Sequence, residues 1–432
     1  MNITFNKKIE KIFYYIVLLL PISFVFGSAI LNTLITILAI IFFLHILVCK
    51  NFNYFKENKV YFIFLIIFLI FQIANNIINN NFEYFHKSIF YLRFLLLPII
   101  FKYFSKFVEF NLSKISKIYL IILLLIIFDL FYQYIFGLNL LGFKPGLFNL
   151  EENFYERYSG VFGNELILGS YLSSLGFLIV IIYFLFNFKN SYILILLMAL
   201  LFLSIFLTGE RSALIIFFVS IFFILLFIKI LKKQILFVSS IILLMIIVGI
   251  NQNDQLKLRY LNYPLNVLTE DNSLNNKDNS GIFYIKKGFS NFMNNTDWGR
   301  HYKTASEMFL DNPINGQGFK QFRVKCKNYN YLFDFEINKQ NGCSTHPHHY
   351  ILEILSEQGI LGLFIFLFFI IFIIKDSLKI NNNKTYVLAL FFIILGFMFP
   401  LKPSGSIFST WFSSIFWIMM SYSYIKNKKN IL

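Results

Sequence analysis

Apolar runs of membrane-spanning length, about 20 residues, recur along nearly the whole chain, at 12–28, 30–48, 60–77, 88–103, 118–137, 166–186, 191–208, 211–228, 235–250, 353–374, 385–400 and 405–424. Lipid offers no partner to a backbone N–H or C=O, so each run is expected to be a helix that satisfies its own hydrogen bonds. Phe, Ile and Leu fall on all sides of the runs without a stripe, as for helices surrounded by lipid and by one another. The composition, 58% hydrophobic and only 14% charged with a mean hydropathy of +0.68, carries more apolar surface than a water-soluble domain of 432 residues can hide. The expected fold class is therefore all-α: a polytopic membrane helix bundle of about twelve helices with one large extracytoplasmic loop containing short helices. The expected units are an N-terminal bundle over 1–250, a loop domain over 251–350 and C-terminal helices over 351–432. The lysine-flanked start reads as a retained helix, because a second apolar run follows at Gly27 and Ser28 with no small-residue cleavage site between.

The net charge of +16 does not point to nucleic acid, because the lysines sit in short clusters between apolar runs and not on one basic and aromatic face. With the N-terminus inside, Lys7, Lys8, Lys11, Lys50, Lys56, Lys59, Lys102, Lys106, Lys114, Lys117, Lys189, Lys229, Lys232, Lys233, Lys375, Lys379, Lys384, Lys426, Lys428 and Lys429 all fall on the cytoplasmic side. The short loops opposite hold only Lys87, Lys144, Arg157, Arg211 and Lys402. That imbalance puts both termini in the cytoplasm and the 251–350 insertion outside. The first part of that insertion, to about Ser280, is Asn-rich and reads as a mobile stretch; Arg300 to Leu310 has helical spacing and stops at Asn312 and Pro313. A smaller polar segment, about 138–165, holds Pro145, Glu151, Glu152, Arg157, Gly160, Gly163 and Asn164.

Three cysteines, Cys49, Cys326 and Cys343, are too few and too scattered for a zinc or iron–sulfur site. In an oxidising compartment Cys326 and Cys343 could pair, and two free thiols are the alternative. Arg211, in LTGERSA, carries a planar guanidinium suited to two phosphate oxygens, unless it serves as an interfacial anchor or pairs with Glu210. Arg300 opens the short loop helix and is followed by the turn DNPINGQGF, where Gly316 and Gly318 allow a sharp bend. His346, His348 and His349 crowd around Pro347 in STHPHHYILEILSEQGILG, and imidazole is the side chain best matched to taking a proton near neutral pH. Arg93 and Asp129 lie inside apolar runs, where they either face a polar cavity admitting a lipid phosphate or pair with one another.

This order, Arg211 in a GERSA turn, Arg300 before EMFLDNPINGQGF, then HPHHY with Gly359 and Gly362, resembles the bacterial O-antigen ligase and polymerase superfamily of membrane glycosyltransferases. In that family a His-Asn pair is followed by nine residues, a Gly, two residues and a small residue; here His348 and His349 precede Gly359 and Gly362 at that spacing, with His349 in place of Asn. The likeness runs from about Arg157 to Leu363. It implies a polyprenyl-diphosphate-linked glycan donor, transfer outside the inner membrane, and neither metal nor other cofactor. His348, Arg211 and Arg300 are then the catalytic candidates: the arginines stabilise the departing diphosphate and His348 takes the acceptor proton, with inversion at the sugar carbon. Arg157, Arg93, His346, His349, Gly359 and Gly362 are the candidate substrate contacts. The expected partners are the lipid-linked donor, a lipid A core or glycan acceptor and membrane lipids. A ligase acting on lipid A core is favoured over a polymerase or a protein O-oligosaccharyltransferase. A flippase without covalent chemistry would instead place its charges deep in broken helices.

Overall fold

The structure, a computed structural model, describes residues 2–150, 153–187, 191–227, 232–252, 254–262, 290, 292, 293, 296–327, 342–400 and 402–426. Most of the Asn-rich stretch read as mobile, Glu151 and Glu152, and the topology lysines Lys189, Lys229, Lys428 and Lys429 lie outside the described residues. Each expected apolar run coincides with a helix: Asn2–Ser23, Ser28–Cys49, Lys59–Ile78, Leu92–Phe104, Leu112–Phe136, Leu168–Asn187, Ser191–Leu207, Arg211–Phe227, Lys232–Gln252, Tyr350–Ile380, Lys384–Phe397 and Thr410–Tyr422. Among the described residues, five of these are long and apolar enough to cross a membrane: Ser28–Cys49, Lys59–Ile78, Leu112–Phe136, Leu168–Asn187 and Tyr350–Ile380. The other expected crossings rest on shorter helices or on helices that fall outside that criterion.

Helix Lys59–Ile78 shows why lipid is the solvent. It exposes Ile63, Ile66, Ile67 and Ile70 along one stripe and buries Gln72, Asn75 and Asn76. That arrangement is unfavourable in water and suits a helix whose polar groups find partners within a bundle. Inside, apolar side chains from most of the helices form one continuous core. Its buried tyrosines bring hydroxyls that must be satisfied: Tyr54 donates to Ile99 O at 3.1 Å, Tyr61 to Leu95 O at 2.6 Å and Tyr386 to Tyr422 O at 2.9 Å. Lys102, read as a loop cation, is half-buried and pairs with Asp376 at 2.7 Å.

The all-α expectation needs one correction. Gly146–Leu150 and Asn153–Arg157 form an antiparallel hairpin with Gly146 opposite Arg157. The polar segment holding them is too short and too broken by Pro145 and Gly146 for a helix, and strand pairing satisfies its backbone groups instead.

Two further departures shape the region around the histidines. The loop helix is longer than expected, Asp297–Asp311, because Thr296 caps it by accepting from Gly299 N at 3.0 Å. The run expected at 353–374 belongs to a helix that starts at Tyr350 and breaks at Gly359, whose φ is 64°. The turn after the loop helix docks into that break: Gln317 N donates to Ser356 O at 2.8 Å, Gly318 N to Glu357 O at 2.9 Å and Ile360 N to Pro313 O at 2.9 Å. A Cβ on Gly359 would lie 2.6 Å from Asn315 N, and one on Gly316 would lie 2.5 Å from Gln358 N, so both backbones approach only as glycine.

Candidate functional site

His348 sits at the centre of a cluster that sequence spacing alone does not assemble. Its backbone is left-handed, φ 55°, a conformation uncommon outside glycine and held here by Ser404 N donating to His348 O at 2.7 Å. Its ring lies 4.1 Å from that of His346 and 5.4 Å from that of His301 on the loop helix, centroid to centroid. Ser344 Oγ is 3.4 Å from its Nε2. Four of the six histidines in the chain therefore meet in one place: His301, His346, His348 and, one residue on, His349 against Tyr302 at 5.1 Å. Burial and the neighbouring imidazole push His348 down to about 4 and His346 down to about 3, so both rings are neutral near pH 7.

His349 does something different. Its Nδ1 accepts from Leu352 N at 3.3 Å and so caps the helix that begins at Tyr350. Asn is among the preferred residues for that task, so an imidazole acceptor in its place keeps the helix start satisfied. The lysine at 402, counted in the sequence only as an outer-loop cation, lies buried close enough to His349 to disfavour its charge. Burial lowers Lys402 itself to about 8, against the pull of Glu210.

The loop helix links the arginines to the histidines. Arg211 opens helix Arg211–Phe227, and its guanidinium lies over the Trp298 ring at 5.6 Å. Arg300, two residues after Trp298 on the loop helix, pairs with Asp297, and the next residue is His301. The first turn of Asp297–Asp311 thus carries Trp298 toward Arg211, Arg300 itself, and His301 stacked on His348. Glu210 does not neutralise Arg211 in an ion pair; it pairs with Arg157 at 3.3 Å and accepts from Gly169 N at 3.1 Å and Ser170 N at 3.2 Å. Arg157 is accordingly placed beside the GERSA turn by a buried carboxylate, at the foot of the hairpin.

Other candidates fall elsewhere. Arg93 donates to Phe90 O and to Asn32 Oδ1, each at 2.8 Å, and Asp129 accepts from Leu140 N at 2.9 Å and Asn139 Nδ2 at 3.3 Å. The two do not pair with one another, and Asp129 serves to hold the loop after its own helix. Gly359 and Gly362 pack against protein: Gly359 against the docked turn, and Gly362 where an added Cβ would meet Gln358 and Phe71. Gly362 also borders an apolar groove between helices Lys59–Ile78 and Tyr350–Ile380, lined by Phe68, Phe71, Phe366 and Phe369. Cys326 and Cys343 form a disulfide with Cα atoms 5.4 Å apart, which ties the short helix Phe322–Lys325 to the start of the histidine segment.

Sequence reasoning passed over His301, Tyr302, Lys402 and Arg323, although the scarcity of histidine was a usable signal for the first. Among the described residues no three His, Cys, Asp or Glu side chains are grouped as metal ligands.

Two curated relatives match 113 residues of the chain, at 33% identity in Rickettsia typhi and 32% in Rickettsia prowazekii, and both carry the provisional name polysaccharide ligase. The match takes in 25% of this chain and spans only 27% of each relative. Residues 196–367, the stretch holding Arg211, the loop helix, the histidine cluster and the Gly359 break, match the family model described as O-Antigen ligase, so this part of the chain is similar to that family.

Proposed function

We propose that this protein is a membrane glycosyltransferase that moves a glycan from a polyprenyl-diphosphate lipid to an acceptor hydroxyl on the periplasmic face of the inner membrane, as an O-antigen ligase acting on lipid A core. The observation that supports the reading is the loop helix Asp297–Asp311, whose first turn bears Arg300, meets Arg211 through Trp298 and meets His348 through His301. The names of the rickettsial relatives support the reaction class.

In this mechanism the sugar C1–O bond to the diphosphate breaks as the acceptor oxygen attacks from the opposite face, which inverts the configuration at that carbon. Negative charge grows on the leaving diphosphate, where the guanidinium groups of Arg211 and Arg300 stabilise it electrostatically. His348 takes the acceptor proton. Its low affinity for protons leaves it neutral and able to accept one, and anionic substrates beside it raise that affinity toward the working range. Its left-handed backbone is anchored through Ser404, and its ring packs against His301 of the loop helix.

The test is glycolipid electrophoresis of cells lacking the protein, complemented with the wild type or with His348→Ala. A ligase predicts complete loss of capped lipid A core in the deletion and no rescue by the variant. Caps cut to one repeat unit would assign polymerisation instead, and unchanged caps would end the proposal.

A further inference from the structure

Resting on that reading, we infer that a second cationic site, formed by Lys320, Arg323 and Lys87 beside His346, binds a phosphate group carried by the acceptor. The site is built by a staple between two loops. Asn81 Nδ2 donates to Phe319 O at 2.8 Å while Gln321 Nε2 donates to Asn81 Oδ1 at 2.7 Å, so the segment leading through Tyr84 into the short helix Phe85–Phe90, which bears Lys87, is fastened to the one bearing Lys320 and Arg323. Lys320 has a left-handed backbone, φ 57°, and its N–H is held by Glu357 Oε2 at 2.6 Å. Arg323 lies over the Tyr84 ring at 5.9 Å.

The three cations repel one another, and Glu357 and Glu353 offset that repulsion at Lys320 only in part. Lys320 is half-buried, and burial together with Arg323 and Lys87 lowers its affinity for a proton. Among the described residues no ion pair engages Lys87, Lys320 or Arg323. The acids nearby feel these cations but hydrogen-bond to other groups and form no ion pair with them. Glu357 also accepts from Phe322 N at 3.1 Å, Glu353 accepts from Ser406 Oγ and Ile407 N, and exposed Glu83 bonds Tyr84. Two buried nitrogens near the cluster have no hydrogen-bond partner, Arg323 Nε and His346 Nε2, and Arg323 is near enough to His346 to disfavour its protonation. Buried polar atoms in a native fold are nearly always satisfied, so two orphans beside three unpaired cations mark a place completed by an anion.

The two groups of cations would then have different jobs. Arg211 meets the loop helix at Trp298, that helix bears Arg300 and stacks His301 on His348, and Arg323 approaches His346 from the disulfide-tied helix Phe322–Lys325. A hydroxyl to be deprotonated by His348 would be held between them by a phosphate elsewhere on the same molecule.

Equilibrium binding in phosphatidylcholine nanodiscs tests this without requiring turnover. The probes are a diphosphorylated glucosamine disaccharide glycolipid and the same glycolipid after phosphatase treatment. The wild type is expected to lose about tenfold in affinity when the phosphates are removed. Arg323→Gln should erase that preference and Arg323→Lys should keep part of it, while all three proteins bind polyprenyl diphosphate alike. That unchanged donor binding certifies the fold of the variants. A wild type indifferent to the phosphates, or an Arg323→Gln protein that still prefers them, would overturn the inference. Equal competition by phosphatidylglycerol would assign the site to lipid headgroups and overturn it as well. Intact phosphate preference in a protein that transfers no glycan would instead sink the proposed function and leave the anion site standing.

Discussion

Two buried polar regions of this protein handle charge in opposite ways. Around Glu210 the carboxylate is saturated: Arg157 pairs with it, and the N–H groups of Gly169 and Ser170 and the Ser170 hydroxyl donate to it. Around His346 the reverse holds, with His346 Nε2, His301 Nδ1 and Arg323 Nε all buried and without a hydrogen-bond partner. A saturated group stabilises a fold, and removing one member leaves the others desolvated and uncompensated. Unsatisfied groups cost stability and persist where a ligand or a reaction completes them. The contrast separates residues that build the site from those that work in it.

The sharpest way to break that division is His348→Ala. Loss of a general base is expected to slow transfer by about a hundredfold to ten-thousandfold, with the protein still folded and monodisperse in detergent. Quantitative glycolipid assays in membranes measure it. Next in size is Glu210→Ala, which is expected to cost about 3–5 kcal/mol of stability by stranding Arg157. Thermal unfolding of the purified protein should drop clearly, and an unchanged transition would remove Glu210 from the structural group.

pH gives a weaker but directional test. An unfolded histidine titrates near about 6.5, whereas His348 and His346 titrate at about 4 and about 3 in the fold. The unfolded chain therefore binds more protons in the interval between, so the stability that these rings contribute is fully present above pH 6.5 and is lost as pH falls toward 4. Thermal unfolding between pH 7 and 4 should show this decline, and a His346→Phe, His348→Phe double variant should flatten it. The smallest effect is expected at His349. Replacement by Ala removes the helix cap at a cost of about 1 kcal/mol, while His349→Asn should be close to neutral in stability. A larger loss of transfer in His349→Asn than in stability would give that imidazole a chemical role beyond capping.

Much of the fold could be read from the chain because the solvent is lipid. A run such as 118–137 has no alternative to a helix when water is absent, and Leu112–Phe136 follows. The same simplicity hides the exceptions. The hairpin at 146–157 and the break at Gly359 are set by what packs against them: in the second case a turn carrying Pro313 and Gly316 fills the gap that a continuous helix would have closed. Asp129 and Arg93 looked equivalent as charges inside apolar runs. Only their surroundings showed one holding a loop and the other bonded to Asn32.

By itself the sequence determined that the chain is a helical membrane protein, that its longest polar stretch comes late, and that imidazoles crowd around Pro347, since hydropathy and residue type are local properties. Tertiary structure decided which groups share a neighbourhood. Trp298 meets Arg211, His301 meets His348, and Glu210 turns to Arg157 and leaves its own neighbour. Those choices depend on the three-dimensional docking of a short loop helix against the ends of helices far away in the chain, a relation that no local pattern of residues encodes.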